Sequence, residues 1–114
     1  MAIQNLVQRT PARFLGWAHE ETLVKSATGD PVVIPPLLAG QRISVRTIAG
    51  AQTAKVQSTI SSDAKVVAGT AVWDDIAVTA VGTTSANLDA PVTAIRAVVG
   101  AVDTADTVLF EVLI

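Results

Sequence analysis

The only histidine of the chain, His19, is followed directly by two carboxylates, Glu20 and Glu21. A zinc-protease helix needs a second histidine four residues after the first, so that both imidazoles lie on one helix face, but Leu23 stands there. A Ser-His-Asp triad would also depend on His19, and no G-x-S-x-G segment is present to expose a serine. We therefore interpret His19 as a structural residue, buried or on the surface of an edge strand, and we expect that the chain is not an enzyme.

Two pairs of aspartates could provide acid–base chemistry or hold a cation. Asp74 and Asp75 are consecutive, so in a strand they point to opposite faces and cannot share a proton. We expect a bulge or turn there, with both side chains solvated. Asp103 and Asp106 could hold a weak calcium ion, but their loop lacks the glycine and glutamate of an EF-hand. We favour a turn in which aspartate side chains bond to backbone amides, and we expect no metal site.

Binding sites for phosphate, nucleic acid and membranes each have recognisable sequence patterns. No glycine-rich phosphate loop occurs, and no aromatic residues are interleaved with basic ones. The net charge of −2 gives no basic surface, and cysteine, the source of disulfides and thiolate metal ligands, is absent. The apolar runs are shorter than the roughly 20 residues of a membrane-spanning helix. We expect no cofactor, no nucleic-acid partner and no membrane partner.

The elements that would position these side chains are strands. From Gln41 to Ile114 the chain reads as short alternating segments separated by turn residues, and its apolar mass is mostly Ala and Val with many Thr. We predict an all-β fold, an antiparallel β-sandwich or small barrel of the Ig-like or jelly-roll-like kind with an extended N-terminal arm. Residues 1–40 would form the arm, or alternatively the first edge strands, and residues 41–114 the sandwich.

Alternation assigns faces to several of these strands. In Arg42–Ile48, the side chains of Ile43 and Val45 should face inward and both arginines outward. One face of the last strand should be formed by Val108, Phe110, Val112 and Ile114. Further strands are predicted over Ala54–Ile60 (with Val56, Ser58 and Ile60 on one face), Ala71–Trp73, Ile76–Val81 and Val92–Val99. One helical turn is predicted over Ala64–Ala68, capped by Ser62 or Asp63.

Residues 1–40 differ in character, because they hold most of the prolines, one tryptophan and the histidine. The run Val32-Val33-Ile34 is stopped by two prolines, so it cannot lie in mid-sheet for long. Phe14, Trp17, Val32 and Ile34 are candidate partner contacts in this segment, and Trp17 could alternatively belong to the core. Residues 1–10 lack the basic-then-apolar order of a signal peptide, so we expect an unprocessed protein made in the cytoplasm.

Arg96 lies in the middle of the most apolar predicted strand. A central arginine on a sheet face needs a partner, and we expect either a cross-strand pair with Glu111 or an aspartate, or an ion pair across an interface. Arg96 is therefore a fifth candidate partner contact. Trp73, in contrast, is expected in the core.

Three phrases suggest a family. They resemble segments of small virion proteins of tailed bacteriophages. The first is Gly69-Thr-Ala-Val-Trp73, and the second is the run Thr84 to Arg96, which ends in Pro91-Val-Thr-Ala-Ile-Arg96. The third is the terminal strand Thr-Val-Leu-Phe-Glu-Val. The resemblance covers about residues 52–114, and similar phrases occur in head-fibre modules. It implies a β-sandwich that decorates or cements the outer capsid surface, commonly as a trimer bridging subunits of the major capsid protein. It carries over no active-site residue.

We therefore expect a structural virion protein. The alternative expectation is a receptor- or carbohydrate-binding module of a head fibre or tail, with Trp17 or Trp73 as its aromatic platform. Self-association, most readily as a homotrimer, is expected because a chain with so few charges has little with which to cover its apolar strands.

Overall fold

The structure is a computed structural model that describes residues 4–5, 7–8, 17–34, 42–79, 82–88 and 92–114, with side chains described from residue 18 onward except at 77–79. Within these residues the chain forms ten strands and one short helix. The elements are β1 (Gln4–Asn5), β2 (Val7–Gln8), β3 (Trp17–Leu23), β4 (Val32–Val33), β5 (Ile43–Ile48), β6 (Ala54–Thr59), α1 (Asp63–Ala68), β7 (Asp74–Thr79), β8 (Thr83–Leu88), β9 (Ala94–Val99) and β10 (Val108–Leu113).

The strands form two five-stranded sheets. The first sheet has the order β1-β4-β9-β6-β7 and the second has the order β2-β3-β10-β5-β8. All pairings are antiparallel except that of β1 with β4. One continuous core contains buried side chains from both sheets, including Val56 and Ile95 from the first and Val45 and Phe110 from the second. The all-β antiparallel sandwich is therefore confirmed.

Strict alternation of apolar side chains places the core where the sequence predicts it. Ile43 and Val45 face inward from β5. The predicted inner face of the last strand is also confirmed, because all of its members are buried: Val108, Phe110, Val112 and Ile114. Phe110 is the largest fully buried side chain of the described residues. Burying a side chain of this size stabilises the fold by roughly 1.5–3 kcal/mol.

The single helical turn predicted after β6 is confirmed as α1. The Lys65 amide donates to the Ser62 hydroxyl, which is the N-cap, and Val66 is the buried residue of the helix. Gly69 ends it in the left-handed conformation, with a φ of 76°. Glycine adopts this conformation without steric cost, and its amide then bonds the last carbonyls of the helix.

Three details of the predicted strands are wrong. Ala71–Trp73 is not a strand, because side chains rather than a neighbouring strand bond its backbone: Thr59 Oγ1 donates to the Val72 carbonyl, and the Val72 amide donates to Ser61 Oγ. Ile60 lies just beyond β6 and is 79% exposed rather than inward-facing. The strand β8 was not predicted, since only Ala86 and Leu88, at its end, mark its inner face and the rest of its sequence is polar.

The described parts of residues 1–40 belong to both sheets. Strand β3 lies between β2 and β10, and β4 lies between β1 and β9. The alternative that this segment supplies strands of the sandwich therefore holds for β3 and β4, whereas the predicted arm stays a prediction for the residues outside the described ranges. His19 lies within β3, so its expected place in an edge strand is wrong.

Candidate functional site

An arginine–tryptophan pair lies on the outer face of the first sheet. Arg96 projects from the middle of β9, and its guanidinium carbon lies 4.3 Å from the centroid of the Trp73 ring. Trp73 immediately precedes β7, the edge strand of the sheet, and is half-buried. A cation over an aromatic face is attracted by the negative face of the ring, and the contact orients both flat groups.

Side chains of neighbouring strands hold Arg96 in this position. The register places Gln57 of β6 opposite both Arg96 and Asp75. Arg96 Nε donates to Gln57 Oε1 at 2.8 Å, and Gln57 Nε2 donates to Asp75 Oδ1 at 2.8 Å. Lys55 Nζ lies 3.5 Å from the same carboxylate oxygen. We call these residues, with Trp73, the Trp–Arg cluster.

The electrostatics of the Trp–Arg cluster follow from these contacts. The hydrogen bond from Gln57 is the largest cause that lowers the pKa of Asp75, and Lys55 adds to the effect. Partial burial lowers the pKa of Arg96 from its ordinary value, which still leaves an arginine fully protonated at neutral pH. The cluster therefore presents a cation and an anion, joined through one amide, beside an aromatic ring.

Two expectations about this region need correction. Arg96 does not pair with Glu111, because Glu111 lies on the second sheet and accepts two hydrogen bonds from Arg46. The partners of Arg96 are instead a neutral amide and an indole. Trp73 does not belong to the core cluster, since it is half-buried and lies over Arg96.

A groove crosses the outer face of the second sheet. Its cavity volume is about 670 Å³, and it is lined by residues of β3, β10, β5 and β8, among them the outward-facing Glu20, Glu111, Arg46 and Asn87. Arg46 and Glu111 lie at its centre, joined by bonds of 3.0 and 2.8 Å to a single carboxylate oxygen, Glu111 Oε1. Ser44 Oγ donates to Asn87 Oδ1 at 2.9 Å on the neighbouring row. The two rows give the groove a fixed arrangement of polar groups.

A comparison with known proteins finds no matching family model, no similar curated protein and no similar solved structure. Among the described residues, no helix is long and apolar enough to cross a membrane. What the two outer faces of the sandwich do must therefore be inferred from their own residues.

His19 and Glu21 occupy the side of β3 opposite to the groove residue Glu20. His19 Nε2 and Glu21 Oε1 are buried, and neither has a hydrogen-bond partner within the part of the chain that the structure describes. The His19 ring stands edge-on to Phe110, with 6.3 Å between the centroids, and burial lowers its pKa. Burial is also the largest cause that raises the pKa of Glu21, and the Asp30 carboxylate raises it further. Both side chains are held toward their neutral forms.

The other carboxylates that sequence reasoning considered lie apart from one another. Asp106 accepts a hydrogen bond from the Ala51 amide at 2.8 Å, and Asp103 pairs with Lys25 at 3.4 Å. A register shift beside Asp75 marks a bulge, as expected there, although Asp74 and Asp75 open strand β7 rather than interrupting one. No group of three or more potential metal ligands occurs among the described residues.

The structure separates the five candidate partner contacts. Val32 is fully buried in the core and offers no open surface, whereas Ile34 is half-buried and packs against the core. Trp17 is the first residue of β3, where its backbone pairs with Gln8, and its side chain lies outside the described ones. Phe14 also lies outside the described residues. Only Arg96 is placed on an outer face beside a second candidate, Trp73.

Sequence reasoning missed the residues that complete both surfaces. Gln57 gave no signal, and Asp75 was noticed only beside Asp74, because which strands pair is not encoded in their local pattern. The sequence indicated one residue of the groove, because the alternation in β5 predicts that Arg46 faces outward. The polar strand β8, which supplies Asn87 and Ser85 to the groove, went unrecognised.

Proposed function

We propose that this chain is a structural virion protein, a capsid decoration or cement protein that stabilises a bacteriophage head by bridging coat subunits. The observation that supports the proposal is the Trp–Arg cluster. Two of the phrases that resemble phage virion proteins end in Trp73 and Arg96, and these two residues are in contact in the fold. The phrases therefore converge on one surface rather than on two unrelated elements.

The composition of the Trp–Arg cluster suits a protein interface. Trp and Arg are the residue types most enriched among positions that dominate binding energy. Arg96 is already held by Gln57 and by the indole, so it loses little conformational freedom when a partner binds. A partner carboxylate or backbone carbonyl would bond the remaining guanidinium donors while apolar surface covers the Trp73 ring.

The proposed partners are the major capsid protein and further copies of this chain, most readily as a homotrimer on the outer capsid surface. A decoration protein strengthens a shell by burying surface with several coat subunits at once. Buried apolar area contributes about 25 cal/mol per Å² before the costs of association.

Particle composition gives the first test. Purified particles should contain the chain by mass spectrometry, and particles stripped of it should release DNA at a lower temperature than decorated ones. Rebinding to stripped particles should be weakened about tenfold or more by Trp73→Ala or Arg96→Gln, since interface anchors of this kind contribute roughly 2 kcal/mol or more.

Thr83→Ala is the matched control, because Thr83 is exposed on the opposite sheet. Its rebinding should equal that of the wild type. Particles that lack the chain would contradict the virion assignment. Rebinding that is unchanged in both cluster variants would contradict the assignment of the contact surface.

A further inference from the structure

We propose that the groove on the second sheet is a binding site for a neutral carbohydrate. The inference does not rest on the virion proposal, because it concerns the opposite outer face of the sandwich and different residues. It rests on the size of the groove, on the polar groups that the register places in it, and on its balance of charges.

The groove is built from two adjacent rows of side chains that run across four strands. In the first row, Glu20 lies opposite Glu111, Glu111 opposite Arg46, and Arg46 opposite Ser85. The second row is formed in the same strand order by Ala18, Leu113, Ser44 and Asn87. Directly opposed residues stand about 5 Å apart, so each row offers one side chain per strand across the four strands.

The internal hydrogen bonds of the groove leave complementary groups for a ligand. Both bonds from Arg46 go to Glu111 Oε1, so among the bonds between described residues Glu111 Oε2 remains an acceptor and Arg46 Nη1 remains a donor. Both groups belong to the same ion pair. Two adjacent hydroxyls of a sugar can donate to the carboxylate oxygen and accept from the guanidinium at the same time.

Asn87 is oriented in the same manner. Its Oδ1 accepts a hydrogen bond from Ser44 Oγ, which leaves the Nδ2 group as a donor without a partner among the described residues. The exposed Ser85 hydroxyl, in the same edge strand, can both donate and accept. Beside these groups, Ala18 and the half-exposed Leu113 form a low apolar surface on which the C–H face of a sugar ring can rest.

The balance of charges favours an uncharged ligand. The groove contains two carboxylates, Glu20 and Glu111, against one guanidinium that Glu111 already neutralises. Phosphate, sulfate or sialic acid would therefore meet repulsion from Glu20. The volume of about 670 Å³ lies within the usual range for small-molecule sites and accommodates a mono- or disaccharide.

An array of neutral and sialylated oligosaccharides tests the inference directly. The wild-type protein should bind neutral glycans and not their sialylated counterparts, with saturation-transfer NMR confirming contact with millimolar monosaccharide. Asn87→Ala and Arg46→Gln should each weaken binding about tenfold or more, because each removes donors that face the ligand.

Two control variants separate the groove from other surfaces. Thr83→Ala lies on the same edge strand but outside the groove lining, and Trp73→Ala lies on the first sheet; neither should change glycan binding. Thermal unfolding checks that every variant is folded. No binding on the array or by NMR, equal binding by the groove variants, or loss of binding in Trp73→Ala would each overturn the inference. So would a groove that binds only a protein partner.

Discussion

At the scale of single residues, the fold alters the chemistry of Glu21 most clearly. Its Oε1 atom is buried and has no hydrogen-bond partner among the described residues. Glu21 lies two residues from His19 on the same face of β3, and Phe110 stands opposite to it. Burial and the Asp30 carboxylate both raise the pKa of Glu21. A raised pKa in the folded state means that the protonated carboxyl stabilises the fold at low pH. That contribution is lost as the pH rises from the ordinary glutamate pKa through the raised one.

Glu21→Gln should therefore stabilise the protein increasingly with pH. The variant replaces a group that must ionise in a buried place by one that cannot ionise, so the difference in melting temperature between variant and wild type should grow from pH 4 to pH 7. Thermal unfolding followed by circular dichroism measures this difference. Glu20→Gln, on the exposed face of the same strand, is the control and should show no such growth. If the difference in melting temperature between Glu21→Gln and the wild type did not change with pH, ionisation of Glu21 would not destabilise the fold.

At the scale of elements, one buried side chain ties two loops of the sandwich together. Gln52 is fully buried; its Nε2 donates to the Val102 carbonyl at 2.9 Å, and its Oε1 accepts from the amides of Val102 and Thr53. The loop before β6 is thereby joined to the loop between β9 and β10. Because loop backbone groups lack a strand partner, this amide supplies bonds that the sheet ladder cannot.

Gln52→Ala should lower the free energy of unfolding by about 1–3 kcal/mol, since it removes the three hydrogen bonds that the buried Gln52 amide makes to the backbone of Val102 and Thr53. Urea denaturation measures the effect. Thr107→Ala is the control, because Thr107 is exposed in the same region of the chain, and it should unfold like the wild type. An unchanged midpoint for Gln52→Ala would mean that water replaces the amide without cost.

The same scale explains how far the sequence could predict this protein. Strands β5 and β10 carry an apolar residue at nearly every second position, and burial alternates along them in the same way, so their inner faces could be predicted. Strand β8 could not, because its residues are polar and only its pairing with β5 makes it a strand. Arg96 could be singled out from the sequence because it is a charged residue in an apolar strand. Its partner could not be predicted, because the partner depends on the order of strands in the sheet, which local sequence patterns do not contain.

At the scale of the whole molecule, exposed aliphatic surface favours self-association. Among the described residues, four large aliphatic side chains are more than half exposed: Val24, Ile60, Val67 and Val72. Ile60 and Val72 belong to segments that are joined by the hydrogen bond from Thr59 to the Val72 carbonyl, next to the Trp–Arg cluster. Apolar groups in this setting gain from being covered by a second copy of the chain.

Sedimentation velocity at micromolar concentration should therefore detect an oligomer, with a trimer expected. Ile60→Asp and Val72→Asp should shift the protein toward the monomer, because a charge at a covered position must be desolvated. Val24→Asp provides a comparison, since Val24 is exposed in the turn after β3. A monomer at every concentration would contradict free self-association.

The two proposed surfaces lie on opposite sides of the molecule, because the core separates the first sheet from the second. A chain attached to a capsid through the Trp–Arg cluster would therefore keep its groove open to solvent. Decorated particles should adhere to a surface coated with the neutral glycan identified on the array, whereas particles decorated with Asn87→Ala should not. Both kinds of particle should carry equal amounts of the protein. If the glycan displaced the protein from particles, the groove and the Trp–Arg cluster could not be occupied at the same time. This outcome would contradict the expectation that the two surfaces bind independently.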